Sequence, residues 1–171
     1  PERGVDVILE TMQYLQNQNI VLVVIGRGVY KDTFVKHAQK NKNSDRIFIL
    51  DPVPWQELVK YTASADVGLQ LLQNIGPHHY YTLSNKLFEY MSAGLPVICS
   101  DFPEIRRVVV NNNVGRVVDE TKPKEIADAV VSILSDVQLF TKMSENAKKA
   151  VAEKYNWEIE EQKLLAVYRD L

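Results

Sequence analysis

The chain has 171 residues, of which 46% are hydrophobic, a formal net charge of −2 and one cysteine. That length and apolar share suit a single soluble globular domain, residues 1–171, with a sizeable core, and leave no reason to invoke disorder. Dispersed Lys and Arg give no footprint for nucleic acid and no polybasic membrane anchor, no apolar run approaches the roughly 18 residues of a membrane span, and Pro1 to Glu10 lacks a basic leader or cleavage site, so a cytoplasmic location is expected.

Val5, Ile8, Leu9, Met12 and Leu15 recur at helical spacing, and Ile20 to Ile25 is a nearly unbroken β-branched run that ends in Gly26-Arg27-Gly28. A helix follows from about Tyr30 to Lys40, then a short strand, Arg46 to Leu50. A helix opened by Pro54 carries Leu58, Val59 and Tyr61, and the strand Asp66 to Leu71 comes next. A long polar loop leads to a central helix that begins near Ser84. Beyond it the pattern predicts the strand Pro96 to Ser100, a helix from Pro103 to about Asn111, a brief strand Gly115 to Val118, and three closing helices. The first is opened by Pro123, the second carries Phe140, Met143, Ala147 and Val151, and the third, after Asn156, carries Trp157, Leu164, Leu165, Val167 and Tyr168. Strands apolar on both faces, separated by helices, indicate an α/β fold with a doubly wound parallel sheet covered on both sides. Ligands of such sheets bind beyond the carboxyl ends of the strands, here at Gly26 to Tyr30, Leu50 to Trp55, Gln73 to Thr82 and Ser100 to Glu104. Cys99 lies inside an apolar strand with no histidine nearby in sequence, which marks it as a small core residue rather than a nucleophile.

The central helix carries the most chemistry. Its N-terminus opens onto a loop, where unpaired backbone N–H groups and the positive dipole end favour a diphosphate. In helical projection Leu83, Leu87, Tyr90, Met91 and Gly94 form one stripe and Thr82, Lys86, Glu89 and Ala93 another beside it. Glu89 could accept hydrogen bonds from ribose hydroxyls with Lys86 neutralising a phosphate, or the two could form an ordinary i, i+3 ion pair on a solvated face. The turn Gly26-Arg27-Gly28 lacks the third glycine of a dinucleotide fingerprint, which makes NAD a poor candidate. Arg3-Gly4 could hold a phosphate at the first helix or be a solvated arginine. His78-His79 is a weak metal signal, since adjacent residues rarely chelate one ion together, and no Asp-x-Asp pair exists to hold a sugar-nucleotide metal.

The segments RGVDVILETM, IVLVVIGRG, RIFILDPVPWQELVKYTASADVGLQLL, SNKLFEYMSAGLPVICSD and YNWEIEEQKLLAVYRDL, in this order and spacing, resemble the C-terminal half of a GT-B glycosyltransferase of family 4, also called glycosyl transferases group 1. The resemblance covers nearly the whole chain. It implies a Rossmann-like domain that holds a UDP- or GDP-sugar without a metal or other cofactor, in a retaining hexosyl- or mannosyl-type transferase of cell-envelope or polysaccharide biosynthesis. It also implies an N-terminal domain, absent here, that supplies the acceptor site, the catalytic base and any membrane contact. No catalytic residue is then expected in this half.

Residue by residue, the resemblance matches Arg3 to a basic contact of the donor diphosphate and Glu89 to the second glutamate of a Glu-x7-Glu motif, the ribose ligand. Tyr81 stands where the first glutamate would touch the donor sugar, a departure from the pattern. Ser84, Asn85 and Lys86 would share phosphate binding, Pro103 and Glu104 match the family's Pro-Glu after the next strand, and Leu50, Asp51 and Val53 fall in the loop beside the nucleotide base. Two rivals share the same sequence: half of a GT-B sugar-nucleotide epimerase, and a non-catalytic module that binds a nucleotide or a protein.

Overall fold

The computed structural model describes residues 4–16 and 19–169. Helix α1, Val5–Tyr14, starts from Gly4, whose φ of 65° lies in the left-handed region. A Cβ at Gly4 would stand 2.2 Å from the Leu71 carbonyl oxygen, so the chain enters α1 hard against the sheet at a point that only glycine accommodates. Strand β1, Leu22–Ile25, pairs in parallel with β2, Ile47–Leu50, from Leu22 opposite Ile47 to Ile25 opposite Leu50. Helix α2, Lys31–Lys40, connects them, and a 3-10 turn at Ser44–Arg46 leads into β2.

After α3, Trp55–Ala63, the strands β3, Gly68–Gln70, β4, Val97–Ser100, and β5, Gly115–Val118, form a second parallel sheet in the order β3-β4-β5. Between β3 and β4 lie α4, Pro77–Tyr80, and α5, Asn85–Ser92. Helix α6, Pro103–Asn111, links β4 to β5, and α7, Pro123–Leu134, α8, Val137–Glu153, and α9, Trp157–Arg169, close the chain.

Helices cover the strands in two layers. On one face Leu9 and Met12 of α1, Phe34 of α2 and Ile126, Val130 and Ile133 of α7 pack on Leu22, Leu71, Ile98 and Val118. On the other, Leu87 and Met91 of α5, Ile105, Val108 and Val109 of α6 and Ala147 of α8 pack on Leu72, Val97 and Cys99. This is the expected doubly wound α/β arrangement. Strand β4 lies at its centre, with all four residues buried.

Two expectations need correction. Among the described residues the strands form a two-stranded and a three-stranded sheet, not one continuous sheet. Nor is every strand covered on both sides: Leu22, Val24, Ile47 and Ile49 face the α1–α2 layer, while Val23 and Phe48, pointing the other way, are each 47% exposed. Helix α3 buries none of its side chains, so Val59 and Tyr61 stay exposed. The long polar loop is partly ordered as α4, whose first turn is set by Pro77.

Cys99 is fully buried, and burial pushes its thiol far above its usual range. The thiol should therefore ignore a disulfide reagent in native buffer and react stoichiometrically once the chain is unfolded in guanidinium. At Gly115, opposite Val97 in the ladder, a Cβ would stand 1.9 Å from the Val97 carbonyl oxygen. Gly115→Ala should then cost about 2–3 kcal/mol, read as a fall of roughly 5–10 °C in thermal midpoint.

Candidate functional site

Because every strand pairing is parallel, each helix that follows a strand starts near the carboxyl rim of the sheets, and the intervening loops gather there. Helix α5 is the one that carries the candidate residues Asn85, Lys86 and Glu89. Tyr90 packs against Gly68 of β3, where a Cβ would come within 2.4 Å of the ring, and Leu87 and Met91 are wholly buried. These contacts fix the rotation of α5 and leave Asn85 and Lys86 exposed at its open end, with Glu89 half-buried one turn on. Ser84 is the N-cap: its Oγ accepts from the Lys86 backbone N–H at 3.3 Å. The Asn85 N–H has no partner among the described residues, so the helix end keeps a donor free for an anion.

Lys86 and Glu89 do not pair, which removes the simplest non-functional explanation for them. Glu57–Lys60, Glu104–Arg107 and Glu160–Lys163 all close at the same i, i+3 spacing, at 2.8, 2.6 and 2.6 Å. Each of those has the acid first. With Lys86 first the order is reversed, the less favourable arrangement on a helix, and no ion pair joins Lys86 to Glu89. Glu104, in contrast, is already engaged by Arg107, and Pro103 beside it is exposed in the first turn of α6.

An aromatic series links the two helix starts. Tyr80 contacts Phe102, the residue before α6, with centroids 5.2 Å apart, and meets Tyr81 edge to face at 5.0 Å and 82°. Phe102 is buried, whereas Tyr81 is 63% exposed. The Ser100 hydroxyl donates to the Leu72 carbonyl at 2.7 Å and ties the end of β4 to the segment leaving β3. The structure thus brings Tyr81, Ser84, Asn85, Lys86, Glu89 and the Pro103-Glu104 turn into one neighbourhood.

The loop with Leu50, Asp51 and Val53 stands on the same rim but is fastened to α2. Asp51 is ion-paired with Lys31, which holds its carboxyl below the usual range. Asp6 of α1 accepts from the Tyr30 hydroxyl at 2.8 Å and lies 3.1 Å from His37 Nδ1; that hydrogen bond raises the Tyr30 phenol. Arg3 lies outside the described residues. His78 and His79 meet edge to face at 5.3 Å, and among the described residues no three His, Cys, Asp or Glu side chains gather as a metal would require. No helix among the described residues is long and apolar enough to cross a membrane.

Some rim residues escape a reading of the sequence. Arg106 grips Asp101 through two hydrogen bonds of 2.6 and 2.5 Å, and Gln73 Nε2 donates to the Glu120 carbonyl at 3.2 Å. The first ties a loop to α6 and the second joins two loops, so no single-element periodicity reveals them. Gln70, buried in β3, leaves both side-chain amide atoms without a partner.

The chain is similar to known glycosyltransferases. The chain is 28% identical over 98% of its length to the phosphatidyl-myo-inositol mannosyltransferase of Mycobacterium leprae (strain TN), of which it covers 43%. Its fold matches sucrose-phosphate synthase from Thermosynechococcus elongatus with a TM-score of 0.86 at 20% identity, over 99% of this chain and 42% of that one. HepE of Anabaena in complex with UDP-glucose matches with a TM-score of 0.86 at 14% identity, over 100% of this chain and 46% of that one. The chain therefore spans less than half the length of each of these proteins. The family Glycosyl transferases group 1 matches residues 1–150, with the α5 rim inside the match, and the chain belongs to that family, in the GT-B fold.

Proposed function

We propose that this chain is the donor-binding half of a retaining, metal-independent glycosyltransferase that takes a UDP- or GDP-sugar. The observation that carries the proposal is the open end of α5, where Lys86 and Glu89 stand side by side without neutralising each other. An anion and a pair of hydroxyls are the ligands such an arrangement lacks. In this reading the α5 N-terminus, with Ser84 and Asn85, and Lys86 bind the diphosphate. They stabilise the negative charge that develops as it leaves. Glu89 accepts from the ribose hydroxyls through charge-assisted hydrogen bonds. The loop at Leu50, Asp51 and Val53 lies beside the base, Pro103 and Glu104 border the sugar side, and Arg3 adds a second cation to the diphosphate. Its similarity to a mannosyltransferase and to a protein that binds UDP-glucose supports a hexose donor.

The acceptor, the base and any membrane contact belong to a complementary half, so the 171-residue chain alone is expected to bind a nucleotide and transfer no sugar. Lys86 and the helix end take the place of a divalent cation, and EDTA should leave nucleotide affinity unchanged. Titration calorimetry with UDP and GDP tests the site. Glu89→Ala should lower affinity for the preferred nucleotide roughly ten- to a hundredfold, the loss of charge-assisted hydrogen bonds. An unchanged affinity would remove Glu89 from the ribose. Lys86→Ala should weaken the nucleoside diphosphate far more than the nucleoside, whereas equal losses would mean that Lys86 serves only the helix.

A further inference from the structure

We infer that Tyr81 is the platform on which the donor's hexose ring stacks, so that this chain selects its sugar by an aromatic face where its family uses a carboxylate. The inference rests on the donor-binding reading above. Tyr81 is large, apolar and 63% exposed, in a loop whose neighbouring rings, Tyr80 and Phe102, are half-buried and buried. Its support is rigid. Phe102 is held at the start of α6, Tyr80 packs on it at 5.2 Å, and Tyr81 meets Tyr80 edge to face at 5.0 Å. An edge-to-face contact with a single neighbour covers little of the Tyr81 ring, and the residue stays largely exposed.

The position suits a sugar. Tyr81 is three residues before Ser84, the cap of α5, so its Cα lies within roughly 11 Å of the Ser84 Cα, on the segment that leads into the proposed phosphate site. The hexose is joined directly to the distal phosphate and so belongs to the surroundings of that segment. From Gln73 to Phe88 there is no acidic residue to accept hydroxyl hydrogen bonds. A pyranose with mainly equatorial hydroxyls presents a face of axial C–H groups, which a ring's negative face attracts while the hydroxyls at its rim stay hydrated. His78 and His79, in the same segment, could serve those rim hydroxyls as donors or acceptors.

The test is a titration of the chain and three variants with UDP, UDP-glucose, GDP and GDP-mannose, with the thermal midpoint of each variant recorded. For the preferred base, the wild-type chain should bind the nucleotide sugar more tightly than the nucleoside diphosphate. Tyr81→Leu and Tyr81→Ala should each lower nucleotide-sugar affinity by roughly three- to tenfold while leaving that of the nucleoside diphosphate unchanged, and Tyr81→Phe should keep the wild-type difference. A gap that survives in Tyr81→Leu, or no gap in the wild type, would overturn the inference while the donor-binding reading stands. Equal losses for both ligands would place the ring on the base or in the scaffold and overturn it too. Binding of none of the four ligands would defeat both readings.

Discussion

The missing side chain at Gly68 is the constraint on which the site depends. It lets the Tyr90 ring lie directly on the backbone of β3, closer than any other residue in that position would allow. With that contact made, Leu87 and Met91 can only point into the core beneath α5, and the end of the helix that carries Ser84, Asn85 and Lys86 must face the rim. The burial of two large apolar side chains, about 1.5–3 kcal/mol each, then holds a polar constellation in place that would gain nothing by forming alone. Positioning comes from the apolar side of the helix and chemistry from the polar side.

Charge pairing sharpens that picture. Around the rim, Lys31 holds Asp51, Arg106 holds Asp101 and Arg107 holds Glu104, each an exposed pair that restrains a loop or a helix start more than it stabilises the fold. Lys86 and Glu89 break the habit. Their order along the helix disfavours a mutual contact, and Glu89 is half-buried one turn into α5. The same comparison separates Glu104 from Glu89: among the described residues Glu104 has a protein partner in Arg107, and no ion pair engages Glu89.

Much of this was legible in the sequence because the signals are local. The β-branched run Ile20 to Ile25, the proline-opened helices at Pro103 and Pro123 and the stripe Leu87, Tyr90, Met91 each follow from one period and appear as expected. What escaped depends on contacts between elements. Whether Val23 and Phe48 are covered is decided by where α3 lies, and α3 carries Leu58, Val59 and Tyr61 at helical spacing without burying any of them. The failure of Lys86 and Glu89 to pair is likewise invisible in their spacing, which matches that of pairs that do close. That Tyr81 stays exposed while Phe102 is buried is likewise set by packing between segments, which its place in a motif does not reveal.

The division of the strands into two sheets has a consequence for motion. Strand β4 is buried throughout between β3 and β5, whereas β1 and β2 keep an uncovered face and a helix, α3, with no buried side chain. Opening free energies should grade accordingly, with amide protons of β4 exchanging last and those of β1, β2 and α3 exchanging through cheap local fluctuations. The rim straddles this boundary: α5 grips the firm unit and the Asp51 loop rides on the soft one. A ligand that bridged both would have to quiet the softer unit, so part of its affinity would be lost to that ordering and would reappear as slowed exchange in a sheet it only touches at one end.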